Sequence, residues 1–222
     1  MSSFSIDQEI ALLEETKTAI FLIREGLISL RSLKNDVDFA HLPILLLSNG
    51  FERLLKILII LDAFINGPEK PDFRGIKTHN IHDLLRRVIE IEKKWDYENR
   101  CPETKKDIAF LEKCDDLQKF VELLTNFVDK SGRYYNVDLL IGKKKDYSNP
   151  SELFILYLDD KTRQGISDTI CHTITLIQQF ARALCRMFIW GDLGQTGKDM
   201  AGIVGYFLDL QDSQLGLILP DQ

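Results

Sequence analysis

Residues 42–65 read LPILLLSNGFERLLKILIILDAFI and form the most apolar segment of the chain. Glu52, Arg53 and Lys56 interrupt this segment, and charged side chains are costly inside a lipid bilayer. We therefore interpret it as a central helix of a soluble protein, ended by the stop signal Asn66-Gly67-Pro68. Its polar residues share one stripe, which faces solvent, a partner chain or a site: Ser48, Asn49, Glu52, Arg53 and Lys56.

Apolar residues recur at helical spacing on both sides of this segment. A capping box of Ser5 and Gln8 precedes the first helix. The further helices predicted from spacing cover residues 7–33, about 78–95, 102–128, 166–188 and 200–210. The helix over residues 166–188 carries a seam of apolar residues in steps of three and four, which either closes the bundle or makes a dimer interface.

Strand signals are weak throughout, because no stretch alternates apolar and polar residues between turn signals. We predict an all-α fold, a helical bundle with a four-helix up-and-down core and additional N- and C-terminal helices. The chain is expected to form a single all-helical domain over residues 1–222, with a C-terminal helical extension over about 150–222.

The composition limits the classes of function. The chain has 222 residues, 45% of them hydrophobic and 28% charged, with a net charge of −6. This acidic balance argues against a dedicated duplex-DNA binder, which needs clustered Lys and Arg. The four cysteines form no C-x2-C pair, and the N-terminal residues show no secretory signal. We expect a cytoplasmic protein with reduced thiols, no cofactor and no membrane association.

One polar stretch, Lys77-Thr78-His79-Asn80-Ile81-His82-Asp83-Leu84-Leu85, gathers titratable groups at a helix start. His79 and His82 are three residues apart, so both could face one direction on a first helical turn and, with Asp83, offer metal ligands. The alternative is that Thr78 caps the helix and one histidine packs on Trp95 or Tyr97, or bonds a carbonyl.

Arg74 and His79 form the only Arg-x4-His pair in the chain. A histidine can take a proton from an RNA 2′-hydroxyl or protonate the leaving oxygen, and an arginine can offset charge on the phosphate. The pair is therefore a candidate for RNA cleavage. It is open whether His79 faces the polar stripe around Glu52 and Lys56 or only solvent.

Arg133, Tyr134 and Tyr135 form a basic and aromatic cluster after a predicted helix end. Aromatic faces can stack on bases and arginine can hold phosphate, so these residues are candidates for RNA or nucleotide binding. The alternative is a packed connection between two helices.

Three stretches in order resemble the HEPN-like helical domain family over roughly residues 42–141. They are Ser48-Asn49-Gly50-Phe51-Glu52-Arg53-Leu54-Leu55-Lys56, the Lys77 to Leu85 stretch, and Ser131-Gly132-Arg133-Tyr134-Tyr135-Asn136. The resemblance implies a helical bundle that often dimerises. It also implies a role in toxin–antitoxin, phage-defence or RNA-processing systems, either as a metal-independent ribonuclease or as a binding module.

The leading hypothesis is a binding module for RNA, a nucleotide or a protein partner, and the apolar seam of residues 166–188 leads us to expect a homodimer. Gly75 follows Arg74 where the family's nuclease motif has a polar residue, and the pair precedes a helix instead of lying within a later one. The candidate binding residues are Glu52, Lys56, His82, Asp83, Arg133, Tyr134 and Tyr135. Two alternatives remain, a metal-independent ribonuclease that uses Arg74 and His79, and a metal-binding protein that uses His79 and His82.

Overall fold

The computed structural model of the protein describes residues 4–33, 41–67, 73–129, 135–142, 149, 152, 154, 157 and 166–217. Within these ranges every regular element is a helix, so the predicted all-α bundle is confirmed. The α-helices are α1 (Ile6–Arg31), α2 (His41–Ile65), α3 (Ile81–Lys94), α4 (Pro102–Lys113), α5 (Asp115–Asp129), α6 (Tyr135–Leu140), α7 (Ile166–Trp190), α8 (Gly194–Asp199) and α9 (Ala201–Leu208). Short 3-10 turns cover Arg74–Ile76, Tyr97–Asn99 and Asp212–Gln214.

Helix α1 begins where the capping box predicts. Ser5 N donates to Gln8 Oε1 at 2.9 Å, and Gln8 N donates to Ser5 Oγ at 3.3 Å. These two bonds satisfy backbone donors that the first turn leaves without partners.

Helices α1 and α2 run antiparallel and approach closely at two glycines. A Cβ at Gly50 would lie 2.7 Å from Ile23 Cγ1 and 3.0 Å from Ile23 N. A Cβ at Gly26 would lie 2.7 Å from Leu47 Cγ. Because neither glycine has a side chain, the backbones of α1 and α2 come close together at these two positions.

Helix α2 is the centre of the bundle, as its sequence predicts. It contacts α1, α3, α5, α7 and α8. The ring of Phe51 on α2 stacks on Phe180 of α7, with 4.4 Å between the centroids. The four-helix up-and-down core remains a prediction.

The chain between residues 102 and 128 forms two helices, where the sequence predicts one. Cys114 separates α4 from α5, and its backbone is extended with φ −79° and ψ 105°. The apolar residues Leu111 and Leu117 are buried on the two sides of this break. The spacing of these apolar residues therefore does not indicate that one helix ends and another begins between them.

The apolar seam of α7 closes the bundle. Its described members are buried within this chain: Ile170, Ile174, Ile177, Ala181, Leu184 and Phe188. The seam therefore does not supply a dimer interface, and the homodimer remains a prediction.

Buried apolar side chains from α1 to α5, α7 and α9 belong to one cluster, which includes residues of the 42–141 region and of the C-terminal helices. The assignment of one domain with a C-terminal extension remains a prediction. Among the helices that the structure describes, none combines the length and the apolar character needed to span a bilayer.

Candidate functional site

The segment before α3 brings His79 to the central helix. Asn80 is the N-cap of α3, because its Oδ1 accepts a bond from Asp83 N at 2.9 Å. Thr78 does not cap the helix, and its hydroxyl instead accepts a bond from Asn80 N at 3.0 Å. His79 thus lies before the helix, where a spacing argument based on a helical turn does not apply.

The His79 imidazole contacts the polar stripe of α2, which answers the question that the sequence leaves open. His79 Nδ1 lies 2.9 Å from Glu52 Oε1, and Lys56 Nζ donates to the same oxygen at 2.7 Å. Glu52 is 8% exposed, whereas the His79 side chain is 54% exposed. We call these three residues the Glu52 junction.

The Glu52 junction orients the imidazole. A carboxylate that accepts a bond from Lys56 has no proton to give, so Nδ1 of His79 is the donor. In neutral His79 the other ring nitrogen, Nε2, is then an acceptor on a side chain that remains half exposed. A buried carboxylate behind an exposed imidazole can hold a general base in position.

The two histidines have different neighbours among the described residues. His82 N donates to Thr125 Oγ1 at 3.0 Å, and its side chain lines a groove between α3 and α5 with Lys119 and Glu122. Asp83 pairs with Arg86 at 3.6 Å. In the part of the chain that the structure describes, no group of three His, Cys, Asp or Glu side chains is arranged to hold a metal ion.

Not all sequence candidates are among the described residues. Arg133 and Tyr134 lie outside the described residues, as do the side chains of Arg74 and Tyr135. Arg74 begins the short turn Arg74–Ile76 and Tyr135 begins α6. Trp95 and Tyr97 are buried, and Trp95 Nε1 donates to Asp62 at 3.1 Å, whereas the hydrogen-bond partner of His79 is Glu52.

An apolar groove of about 540 Å³ adjoins the Glu52 junction and shares Lys56 with it. Its walls come from α1, α2 and the chain over 73–77, and its apolar lining includes Leu12, Ile57 and Ile60. Three aromatic rings also line it in a continuous stack, with 4.2 Å between Phe4 and Phe64 and 5.5 Å between Phe64 and Phe73. Lys56 and Lys77 stand in the same lining. We call this feature the aromatic groove.

A second polar region, which the sequence did not indicate, lies between α3, α4 and α7. Arg186 Nη1 donates to both oxygens of Asp107, at 2.9 and 3.1 Å. Burial raises the pKa of Asp107, and the charge of Arg186 opposes this rise. Burial also raises the pKa of Tyr97.

Glu92 is the most unusual member of this region, because it is fully buried and neither carboxylate oxygen has a hydrogen-bond partner among the described residues. Burial raises its pKa well above the usual range, and the nearby charges of Asp107 and Glu112 add to the rise. The sequence does contain a signal. Residue 92 continues the apolar positions 81, 84, 85 and 88 at helical spacing, so a carboxylate there falls on the buried face.

The natural protein should lose folding stability as the pH rises and Glu92 becomes charged. We expect Glu92→Gln to remove this loss. A carboxyl with a raised pKa in the folded state stabilises the fold most below the pKa of the unfolded chain, and this contribution is lost as the pH rises through the folded-state pKa. The neutral amide has no such dependence, so at pH 8 the variant should exceed the natural protein by about 1–2 kcal/mol in free energy of unfolding.

Urea titrations at pH 4 and pH 8 measure this difference. The exposed neighbour Glu90 on the same helix gives a matched control, because Glu90→Gln should leave the pH dependence unchanged. If the free energy of unfolding depends on pH equally in Glu92→Gln and the natural protein, the raised pKa of Glu92 is contradicted.

No family model, no curated protein and no solved structure matches the chain.

Proposed function

We propose that the protein is a helical binding module that takes a nucleotide, free or as part of single-stranded RNA, in the aromatic groove. The observation that carries this proposal is the continuous stack of Phe4, Phe64 and Phe73 in a groove that also holds two lysines. Ligand sites in proteins are typically apolar clefts of about 300–1,000 Å³ with a few polar groups, and the groove fits this description.

The two parts of a nucleotide match the two parts of the groove. A base has a π-face that stacks on an aromatic side chain, for about 1–3 kcal/mol per base. A phosphate takes charge-assisted bonds from ammonium groups. Lys56 already pairs with Glu52, whereas Lys77 makes no hydrogen bond or ion pair with the described residues. We therefore expect Lys77 to bind the phosphate of the nucleotide.

Substitution of Lys77 tests the proposal. We expect Lys77→Gln to weaken the binding of adenosine 5′-monophosphate about fivefold, because one exposed charge contact is worth about 1 kcal/mol. Isothermal titration calorimetry at low salt measures the change.

The exposed Lys17 on α1 lies outside the groove lining and gives a matched control. Lys17→Gln changes the net charge by the same amount and should leave the affinity unaltered. An equal loss of affinity in the two variants would show that only the net charge matters. Absence of binding to the natural protein would overturn the proposal.

A second candidate function is metal-independent RNA cleavage with His79 as the base and Arg74 as the cation. The Glu52 junction favours it, because it holds Nδ1 of an exposed imidazole and leaves Nε2 as the acceptor. The aromatic groove beside the junction would position the RNA.

Incubation of the protein with mixed RNA tests this candidate. If His79 is the base, cleavage persists in EDTA and falls by at least about 100-fold in His79→Ala, in line with the loss of general-base catalysis. The neighbouring His82→Ala should cleave like the natural protein. RNA that stays intact with the natural protein, or cleavage unchanged in His79→Ala, would exclude it.

The other hypotheses have less support. The different neighbours of His79 and His82 do not favour a metal site. A link to phage-defence or toxin–antitoxin systems rests on the HEPN-like resemblance, and the homodimer remains a prediction from the sequence. Exposed apolar side chains do occur on α1, at Phe21 and Ile28.

A further inference from the structure

A second cavity, of about 860 Å³, lies between α4, α7 and the C-terminal segment 210–215. We propose that it binds a small ligand through an anionic oxygen group, a phosphate or a carboxylate, at the position where Asp212 now meets Arg182. This site is separate from the aromatic groove, and no lining residue is common to the two.

Arg182 is the anchor of the proposed site. The residue is only 8% exposed, yet it lines the cavity. Its Nη1 donates to Leu210 O at 2.9 Å, and its Nη2 lies 2.8 Å from Asp212 Oδ1. A guanidinium presents its donors as a planar fork that suits carboxylate and phosphate groups. An almost buried arginine is therefore held in place with one face toward an acidic partner.

The present partner of Arg182 is replaceable. The Asp212 side chain is 85% exposed and sits on a short 3-10 turn. By contrast, the other arginine in the lining, Arg186, is held by both oxygens of the buried Asp107. A ligand can therefore displace Asp212 into water at little cost, whereas the pair of Arg186 and Asp107 stays intact.

Arg182, Lys106 and Arg186 place positive charge near the Asp212 carboxylate, in a lining that also contains Glu103 and Asp107. Its hydrogen bond to Arg182 lowers the pKa of Asp212, and the charges of Arg182, Lys106 and Arg186 lower it further. The same cations would act on a ligand's acidic group at that position. Lys106 lines the cavity from α4 and makes no hydrogen bond or ion pair with the described residues, so it is available to the ligand.

The C-terminal segment that carries Asp212 is held to α7 by hydrogen bonds that do not involve Asp212. The buried Gln178 on α7 donates to Leu217 O at 2.6 Å and accepts from Gly216 N at 2.7 Å. These two bonds hold the C-terminal segment against α7. The cavity therefore keeps its shape when Asp212 leaves Arg182.

Calorimetric titration of the full chain with inorganic phosphate, and separately with succinate, tests the proposal. We expect at least one of the two anions to bind, and the one that binds identifies the acidic group. Lys106→Gln should weaken this binding about fivefold. Asp212→Asn should strengthen it about fivefold, because the competing carboxylate is gone. Both side chains are exposed, so neither change threatens the fold.

Two controls make the result specific. Lys105 is exposed on the same helix but lies outside the cavity lining, so Lys105→Gln should bind like the natural protein. Lys17→Gln, on α1 and outside both cavity linings, should also leave this binding unchanged. The proposal fails if neither anion binds, if Lys106→Gln and Lys105→Gln behave alike, or if Asp212→Asn does not bind more tightly.

Discussion

Arg186→Gln should lower the free energy of unfolding by about 3–5 kcal/mol, the largest effect that we expect from a single substitution. Arg186 supplies both hydrogen bonds to the buried carboxylate of Asp107, and burial already raises the pKa of that carboxyl. Without the guanidinium, Asp107 must either stay charged and unpaired in the core or take up a proton. Both outcomes destabilise the folded state relative to the unfolded state.

Chemical denaturation monitored by circular dichroism measures this loss. An exposed arginine on α3 supplies the control, because Arg86→Gln breaks only solvent-exposed pairs with Asp83 and Glu90 and should cost less than about 0.5 kcal/mol. The double variant Arg186→Gln with Asp107→Asn should recover part of the loss. Similar effects in Arg186→Gln and Arg86→Gln would show that the buried pair does not hold α4 to α7.

Gly50→Ala should lower the free energy of unfolding by about 2–3 kcal/mol. The added Cβ meets Ile23 Cγ1 at 2.7 Å, Ile23 N at 3.0 Å and Ala19 O at 3.1 Å. Two of these three atoms belong to the backbone of α1, so they cannot rotate away and the helices must move apart. The higher intrinsic helix propensity of alanine, worth about 1 kcal/mol, offsets only part of this cost.

The same substitution at a glycine with free space should have the opposite sign. A Cβ at Gly202 on α9 meets no atom within 4 Å, so Gly202→Ala should stabilise the protein by about 0.5–1 kcal/mol. The two variants can be compared in one set of thermal melts. If both stabilise the protein, α1 and α2 do not approach as closely at Gly50 as described.

Much of the fold could be predicted because helices depend on local patterns. The capping box of Ser5 and Gln8 and the apolar spacing of α2 and α7 each follow from neighbouring residues. The break at Cys114 could not be predicted, since the apolar positions on both sides suit one helix and no Gly or Pro marks it. Gly50 is visible in the sequence, but its close neighbours Ala19 and Ile23 lie on another helix.

The candidate site was only partly predictable for the same physical reason. The Glu52–Lys56 pair follows from i,i+4 spacing on one helix. The contact of His79 with Glu52 joins residues 27 positions apart, and the loop that leads to His79 has no periodic pattern. The aromatic groove combines Phe4, Phe64 and Phe73 from three separate parts of the chain, so only the folded structure brings their rings together.

We propose that a nucleotide occupies the aromatic groove, and an NMR titration with adenosine 5′-monophosphate follows its binding residue by residue. We predict saturable shifts in the aromatic resonances of Phe4, Phe64 and Phe73 and in the amide of Lys77, together with loss of the Lys77 shift and weaker saturation in Lys77→Gln. Absence of shifts at these residues, or shifts confined to the surroundings of Arg182 and Lys106, would contradict the claim.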